Sequence, residues 1–503
     1  MHVTAIQALL IIALYFLILI AISWLTSRRA NNDAFFVGNR SSPWFVVAYG
    51  MIGASLSGVT FMSVPGYVQS SQFTYMGVVL GYLLGYVVIA LVLLPLYYKL
   101  KLTSIYTFLN QRFGNRSHKT GSFFFIISRL LGSALRMYLV VYVLYEFFFK
   151  PMGIPFELIA LFFIALILVY TFKGGIKTII WTDTLQTTYM LAATIACIWY
   201  ILKDMDISFV ELMSNAAKSG YTTMIDADWK SRDFFLKQLL SGMFITIAMT
   251  GLDQDMMQKN LTCRSLRDAQ KNVFSLSISL VIVNFIFLSL GVALLYYAQQ
   301  TGFAMPAKPD GIFPAIAFYL SGFTAVVFLI GLIAAGYSSA DGTLTALTTT
   351  FCFDFLRFDT STKSEEEKVR IRKRTHIAFT ALYLLVIIAF KPFHTDSLIK
   401  TLFDVAGYTY GPLLGLFSFG LIMKNYQPND RYIPYIAVAS PIICYIINFY
   451  SEAWFNGYKF GFEMLILNGL LTFFGIWAIS KKLTNRLTDK STNRKKTVNQ
   501  LVD

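Results

Sequence analysis

GLIAAGYSSADGTLTALTTT, the run from Gly331 to Thr350, is apolar enough on its flanks to lie in a bilayer, yet it carries hydroxyls and a carboxylate at helical spacing. Ala335, Ser338, Ser339, Asp341, Gly342, Thr345 and Thr349 fall on about one half of a helix, because residues three, four and seven apart stack on one face. That face cannot look at lipid. Small residues on it admit a second backbone at close range, and hydroxyl and carboxylate oxygens are the hard ligands a dehydrated alkali cation needs. A single Ser or Thr in such a place is ordinary helix-packing glue. The whole constellation with Asp341 inside it reads as a site, since an ionisable group at membrane depth is costly.

The composition sets the class. With 56% hydrophobic residues and 46 Phe among 503 residues, the chain reads as all-α and polytopic, with no room for a sizeable soluble domain, so catalytic and nucleic-acid-binding domains are not expected. The first apolar run, Ala5 to Thr26, is too long for a signal-peptide core and lacks a basic start, and is read as a retained helix. Cys197, Cys263, Cys352 and Cys444 make no metal-like or paired spacing and are read as inert thiols. The formal net charge of +15 is explained by topology rather than by a polyanionic partner.

About thirteen spans can be placed, near 5–26, 44–68, 75–97, 120–147, 155–171, 177–202, 236–257, 271–298, 323–352, 377–391, 396–423, 432–451 and 458–480. With the N-terminus outside and the C-terminus cytoplasmic, the basic residues gather on one side of a plasma (inner) membrane. These are Arg28, Arg29 and Arg40; Lys99, Lys101, Arg112, Arg116 and Lys119; Lys259, Arg264 and Arg267; the run Lys368 to Arg374; and the tail Lys481 to Lys496, whose default role is contact with anionic lipid. The large external connection, Lys203 to Lys237, mixes signs as a solvated cap would. Sequon-like triplets at Asn39, Asn115 and Asn260 fall on the cytoplasmic side and are read as chance.

Two spans break the pattern. The second holds Gly50, Gly53, Gly58, Pro65 and Gly66 among Ser55, Ser57, Thr60 and Ser63, which reads as a helix that unwinds in mid-membrane; the seventh, near Thr246, Thr250 and Gly251, is its weaker counterpart. Unwound backbone at that depth is tolerated only where it lines a cavity or ion site, so paired interruptions point to an inverted repeat with its site at the midplane. The expected division is a first helix and connection (1–43), a ten-helix core (44–423, as repeats 44–202 and 236–423), two further helices (424–480) and a basic tail (481–503).

Five motifs in order carry a family resemblance: FFVGNR at Phe35, LTSIYTFLNQRFG at Leu102, TFKGGIKTIIWTDTLQ at Thr171, GLDQDMMQ at Gly251 and AAGYSS at Ala334. The chain resembles the sodium:solute symporter family. The resemblance implies an all-α fold with a LeuT-like 5+5 inverted-repeat core of broken helices. It also implies a sodium site built from the carbonyls of Gly53, Leu56 and Ala335 with the hydroxyls of Ser338 and Ser339. A second sodium in some relatives uses a carboxylate that matches Asp183, together with Ser338 and two hydroxyls beyond the serine pair. Here Asp341 and Gly342 stand at those two positions. Asp183, Ser338 and Asp341 are therefore a candidate second cation or proton site, since paired carboxylates either bind a cation more strongly or share a proton.

The resemblance also places the solute on Ser55, Ser57, Thr60 and Thr246. Arg129 and Arg136 are seven residues apart, on one face of the fourth span. A buried guanidinium seeks a planar oxyanion and grips a carboxylate with two hydrogen bonds, and Arg136 matches the carboxylate-binding arginine of the sialic acid members. For each arginine the alternative is a structural pairing with an acidic side chain. The glutamine that those members carry on the third span has no match here. The expected cargo is a small polar solute, an organic acid or acidic sugar such as sialic acid; a neutral sugar or polyol is the alternative, and a proton-coupled symporter using Asp183 and Asp341 is another. At ~100 mV one charge supplies roughly 2.3 kcal/mol, and a tenfold sodium gradient adds about 1.4. One sodium with a neutral solute is worth ~3.7 kcal/mol, about 500-fold accumulation; with a monoanion only the tenfold term remains.

A channel would need polar groups along the length of several spans, and here they cluster at mid-depth. An enzyme would need a reactive constellation, but no nucleophile motif appears, and His2, His118, His376 and His394 are expected outside the membrane interior. The stretch after Ser480 is too short for a fused signalling domain. The expected partners are sodium ions, a small solute and the bilayer, without nucleic acid or an obligate protein partner.

Overall fold

A computed structural model describes residues 3–27, 31–393, 398–458 and 460–483. Arg28, Arg29, His2, His394 and most of the basic tail lie outside the described residues.

Each expected span falls on helix. In order they are α1 (Ala5–Ser27), α2 (Trp44–Ser71), α3 (Tyr75–Lys99), α4 (Asn115–Met152), α5 (Phe156–Gly174), α6 (Ile176–Asp204), α7 (Phe235–Gly251) with α8 (Gln254–Asn260), α9 (Leu266–Thr301), α10 (Gly322–Phe355), α11 (Glu365–Ala389), α12 (Leu398–Ile422), α13 (Ile433–Phe449) and α14 (Met464–Ala478). Among the described residues, 8 helices are long and apolar enough to cross a membrane, or 9 if the bent pair α7 and α8 counts as one span. A short antiparallel pairing of Tyr426–Pro428 with Ser480–Lys482 ties the ends of α12 and α14 together.

Position in the bundle follows from the side chains. In α1 the residues Ala8, Ile12, Tyr15 and Leu19 are buried, while Leu10, Leu14 and Leu17 are more than half exposed, the stripe expected of a peripheral helix with lipid as its solvent. In α10 every residue from Gly331 to Thr350 is buried, so the polar seam is enclosed on all sides by α2, α4 and α6. A Ser321–Thr324 capping box starts this helix. The basic segment Arg370 to Arg374 enters α11 behind three glutamates and a Ser364 cap, which suits the positive end of the helix dipole.

Both expected interruptions are present. Within α2, Ser57 sits at φ 52° and ψ 170°, outside helical geometry, so the helix is broken there although it continues on either side. The close of α7 is a π turn at Ile247–Gly251, and α8 leaves it at 71°. Asp253 caps α8 by accepting the Met256 amide at 3.2 Å. The four cysteines are free and buried.

Burial adds to two readings of polar residues. Lys259, placed with the cytoplasmic basic residues, is buried to 1% exposure at the end of α8, where Asp183 of α6 and Asp255 of its own helix hold it. His118 and His376 are also buried: His118 Nε2 lies 2.8 Å from Asp354, and His376 is hydrogen bonded to Thr171 and Thr348. Both rings bind helices to one another.

Candidate functional site

The break in α2 presses against α10 and α6. Ser338 Oγ donates to the Gly53 carbonyl at 3.0 Å and reaches the Ala335 carbonyl at 3.2 Å. Gly53 is fixed from its other side, with its amide donating to Thr187 Oγ1 at 3.0 Å, and a Cβ there would lie 2.5 Å from that oxygen. Only glycine lets the backbone come this close to α6. Leu56 stands just before the break and lines the adjoining cavity. Ser339 faces another way: its hydroxyl accepts from Arg136 Nη1 at 3.3 Å, and its carbonyl accepts from Thr343 at 2.7 Å. Gly53, Ala335 and Ser338 thus meet in one corner of neutral oxygens, while Leu56 lines the cavity and the Ser339 hydroxyl is taken by Arg136.

The cavity beside that corner holds about 680 Å³ of empty space counted to its opening. Ser55, Ser57 and Thr60 of α2, Thr246 of α7 and Arg136 of α4 all line it, so the five residues expected to hold a solute share one wall system. Tyr75, Tyr82 and Tyr86 of α3, Asn284 of α9 and Phe403 of α12 also line it, as does Arg129 of α4. Among the described residues Ser55 Oγ and Arg136 Nε are buried without a hydrogen-bond partner, and both residues line the space.

The two arginines of α4 have different surroundings. Arg129 is ion paired with Asp255, lies 3.6 Å from Asp253, and donates to Thr343 at 3.0 Å. This is the structural pairing. Arg136, 7% exposed, makes no ion pair among the described residues, and the Ser339 hydroxyl is its side-chain acceptor. A buried guanidinium without a carboxylate is an anion receptor in chemical terms.

The acidic candidates lie behind the cavity. Asp183 of α6 is held by Lys259 Nζ at 2.8 Å, and the same ammonium is 3.7 Å from Asp255. Asp341 accepts from Tyr170 at 3.0 Å and from the Gly342 amide at 2.6 Å. Asp253 accepts from Tyr410 at 2.6 Å. Lys259, Asp253, Asp255, Tyr170 and Thr187 were not singled out in the sequence. The Asp255 and Lys259 pair had a visible signal in its spacing of four along a helix; its burial had none, because the charges that enclose it come from helices distant in the chain.

The profile of the sodium:solute symporter family matches residues 35–428. The chain belongs to this family. As a member it is a sodium-coupled symporter, a multi-pass membrane transporter that moves a solute with sodium. It is 26% identical to the sodium/sialic acid symporter SiaT of Proteus mirabilis (strain HI4320) over 83% of each chain. It is likewise 26% identical to the sodium/sialic acid symporter NanT of Aliivibrio fischeri (strain ATCC 700601 / ES114), also over 83% of each. Its fold matches that of a Na+-coupled sialic acid symporter solved in a substrate-bound, outward-open state, with a TM-score of 0.78 over 95% of this chain and 99% of the other at 22% identity. The broken-helix, LeuT-like architecture read from α2 and α7/α8 is the architecture of this transporter class.

Proposed function

We propose that this symporter carries an acidic sugar or small organic acid of the sialic acid type, its carboxylate gripped by Arg136 and its hydroxyls met by Ser55, Ser57, Thr60 and Thr246. The observation that carries this is the Arg136 guanidinium, buried, facing the cavity and free of acidic partners among the described residues, while Arg129, two turns away on the same helix face, is ion paired. The driving sodium binds in the corner of Gly53, Leu56, Ala335, Ser338 and Ser339. Carbonyl and hydroxyl oxygens suit a small monovalent cation because they hold it without burying a second full charge, and so allow its release. Sodium there joins the broken segment of α2 to α10, which forms the cavity wall. Solute affinity therefore rises with sodium, and sodium affinity with solute by the same factor.

The N-terminus faces outside and the C-terminus the cytoplasm. Residues 44–423 form the ten-helix transport core, with α1 before it and α13 and α14 after it. Side-by-side uptake of labelled sialic acid, a monocarboxylate, a hexose and an inositol into proteoliposomes with a sodium gradient tests the reading. The expected result is sodium-dependent accumulation of an acid that is lost in Arg136→Gln. Accumulation of the hexose or inositol, unaffected by Arg136→Gln, would overturn the acid assignment.

A further inference from the structure

Behind the sodium corner, three helices bring carboxylates to one ammonium. Asp183 of α6 and Asp255 of α8 lie 2.8 and 3.7 Å from Lys259 Nζ, and Asp341 of α10 is within electrostatic reach of the same charge. All four residues are at most 1% exposed. Asp341 is one turn beyond Ser338, so this locus and the sodium corner share a wall. Asp183, Ser338 and Asp341 are the oxygens that the family resemblance offers to a second cation, and the Lys259 ammonium already stands on one of them, Asp183.

We infer that the Lys259 ammonium occupies the second cation position permanently, so that this symporter binds one sodium ion per chain. The inference rests on the sodium corner proposed above. An ammonium at hydrogen-bond distance from Asp183 repels a sodium ion on the same carboxylate, and in a buried locus there is no water to screen the two charges. The packing closes the position from the other side. A Cβ on Gly342 would lie 2.4 Å from Asp255 Oδ1, so the space where residue 342 would offer a hydroxyl is taken by the carboxylate that bridges Lys259 and Arg129. The missing side chain at 342, the extra carboxylate at 341 and the buried lysine at 259 form one arrangement.

The test is equilibrium binding of radiolabelled sodium to the purified full chain in detergent. Wild type is expected to bind one sodium per chain with a dependence of slope one. Lys259→Ala frees Asp183 of its ammonium while Asp255 keeps Arg129, and is expected to bind two, with a slope rising towards two. Lys259→Ala combined with Asp183→Asn removes both members of the pair and is expected to return to one, which keeps the test readable if the single variant folds poorly. Two sodium ions on wild type, or one on a folded Lys259→Ala, would overturn the inference while leaving sodium symport intact. No sodium binding to wild type would break the sodium-corner reading and this inference with it.

Discussion

The proposed sodium corner and the Lys259 locus, a helical turn apart along α10, are built on opposite principles. Around Ser338 the ligands are neutral, namely the carbonyls of Gly53 and Ala335 and one hydroxyl, and one of them belongs to a helix broken at Ser57. Around Lys259 they are carboxylates on unbroken stretches of helix, and the cation is part of the chain. The first locus joins α2 to α10 through neutral groups alone. In the second, buried opposite charges hold α6, α8 and α10 together. A transport cycle needs both, because a site that releases its ion must work against a frame that does not move with it.

The largest effect should come from breaking the permanent locus. Arg129→Gln leaves Asp253 and Asp255 with an uncompensated buried charge and is predicted to destabilise the protein by about 3–5 kcal/mol, read as a lowered Tm of the purified protein. A Tm equal to wild type would mean that these charges do not hold the frame.

Next comes the arginine without a carboxylate. Charge-assisted hydrogen bonds contribute ~1.5–3 kcal/mol, so Arg136→Gln should raise the half-saturating concentration of an acidic solute on the order of 10- to 100-fold, with sodium binding in the absence of solute little changed. An equal loss for acidic and neutral solutes would point to a structural role instead.

Ser338→Ala removes one neutral ligand from the releasable locus. A weakening of sodium dependence of about tenfold is predicted, at the upper end of a single hydrogen-bonding group. Full sodium affinity in this variant would remove Ser338 from the site. The smallest change is expected for Ser55→Ala, whose hydroxyl makes no close hydrogen bond among the described residues: roughly two- to threefold in solute affinity, without a change in Tm. A large loss of stability would show that the hydroxyl serves packing.

The broken second span and the serines packed against it were legible in the sequence, and the burial of Lys259 was not. Serines at helical spacing and glycines clustered in a second span mark broken membrane helices, because backbone groups must find partners in lipid and tolerate unwinding only beside a cavity. Lys259 ends a short amphipathic run beside further basic residues, and such a residue reads as a cytoplasmic anchor. Its burial depends on the 71° turn between α7 and α8, which carries α8 inward towards α6 and α10. The separation of Arg129 from Arg136 was equally hidden, since sequence periodicity places both on one face and cannot say which of them meets Asp255.

The most direct measurement is the ratio of labelled sodium to labelled sialic acid entering proteoliposomes containing the wild-type protein, taken at several imposed potassium diffusion potentials. One sodium at the neutral corner with one monoanion at Arg136 carries no net charge. The predicted result is a ratio of one and uptake indifferent to membrane potential. Equal acid uptake in choline and in sodium, or a ratio of two with uptake that rises as the interior is made negative, would contradict it.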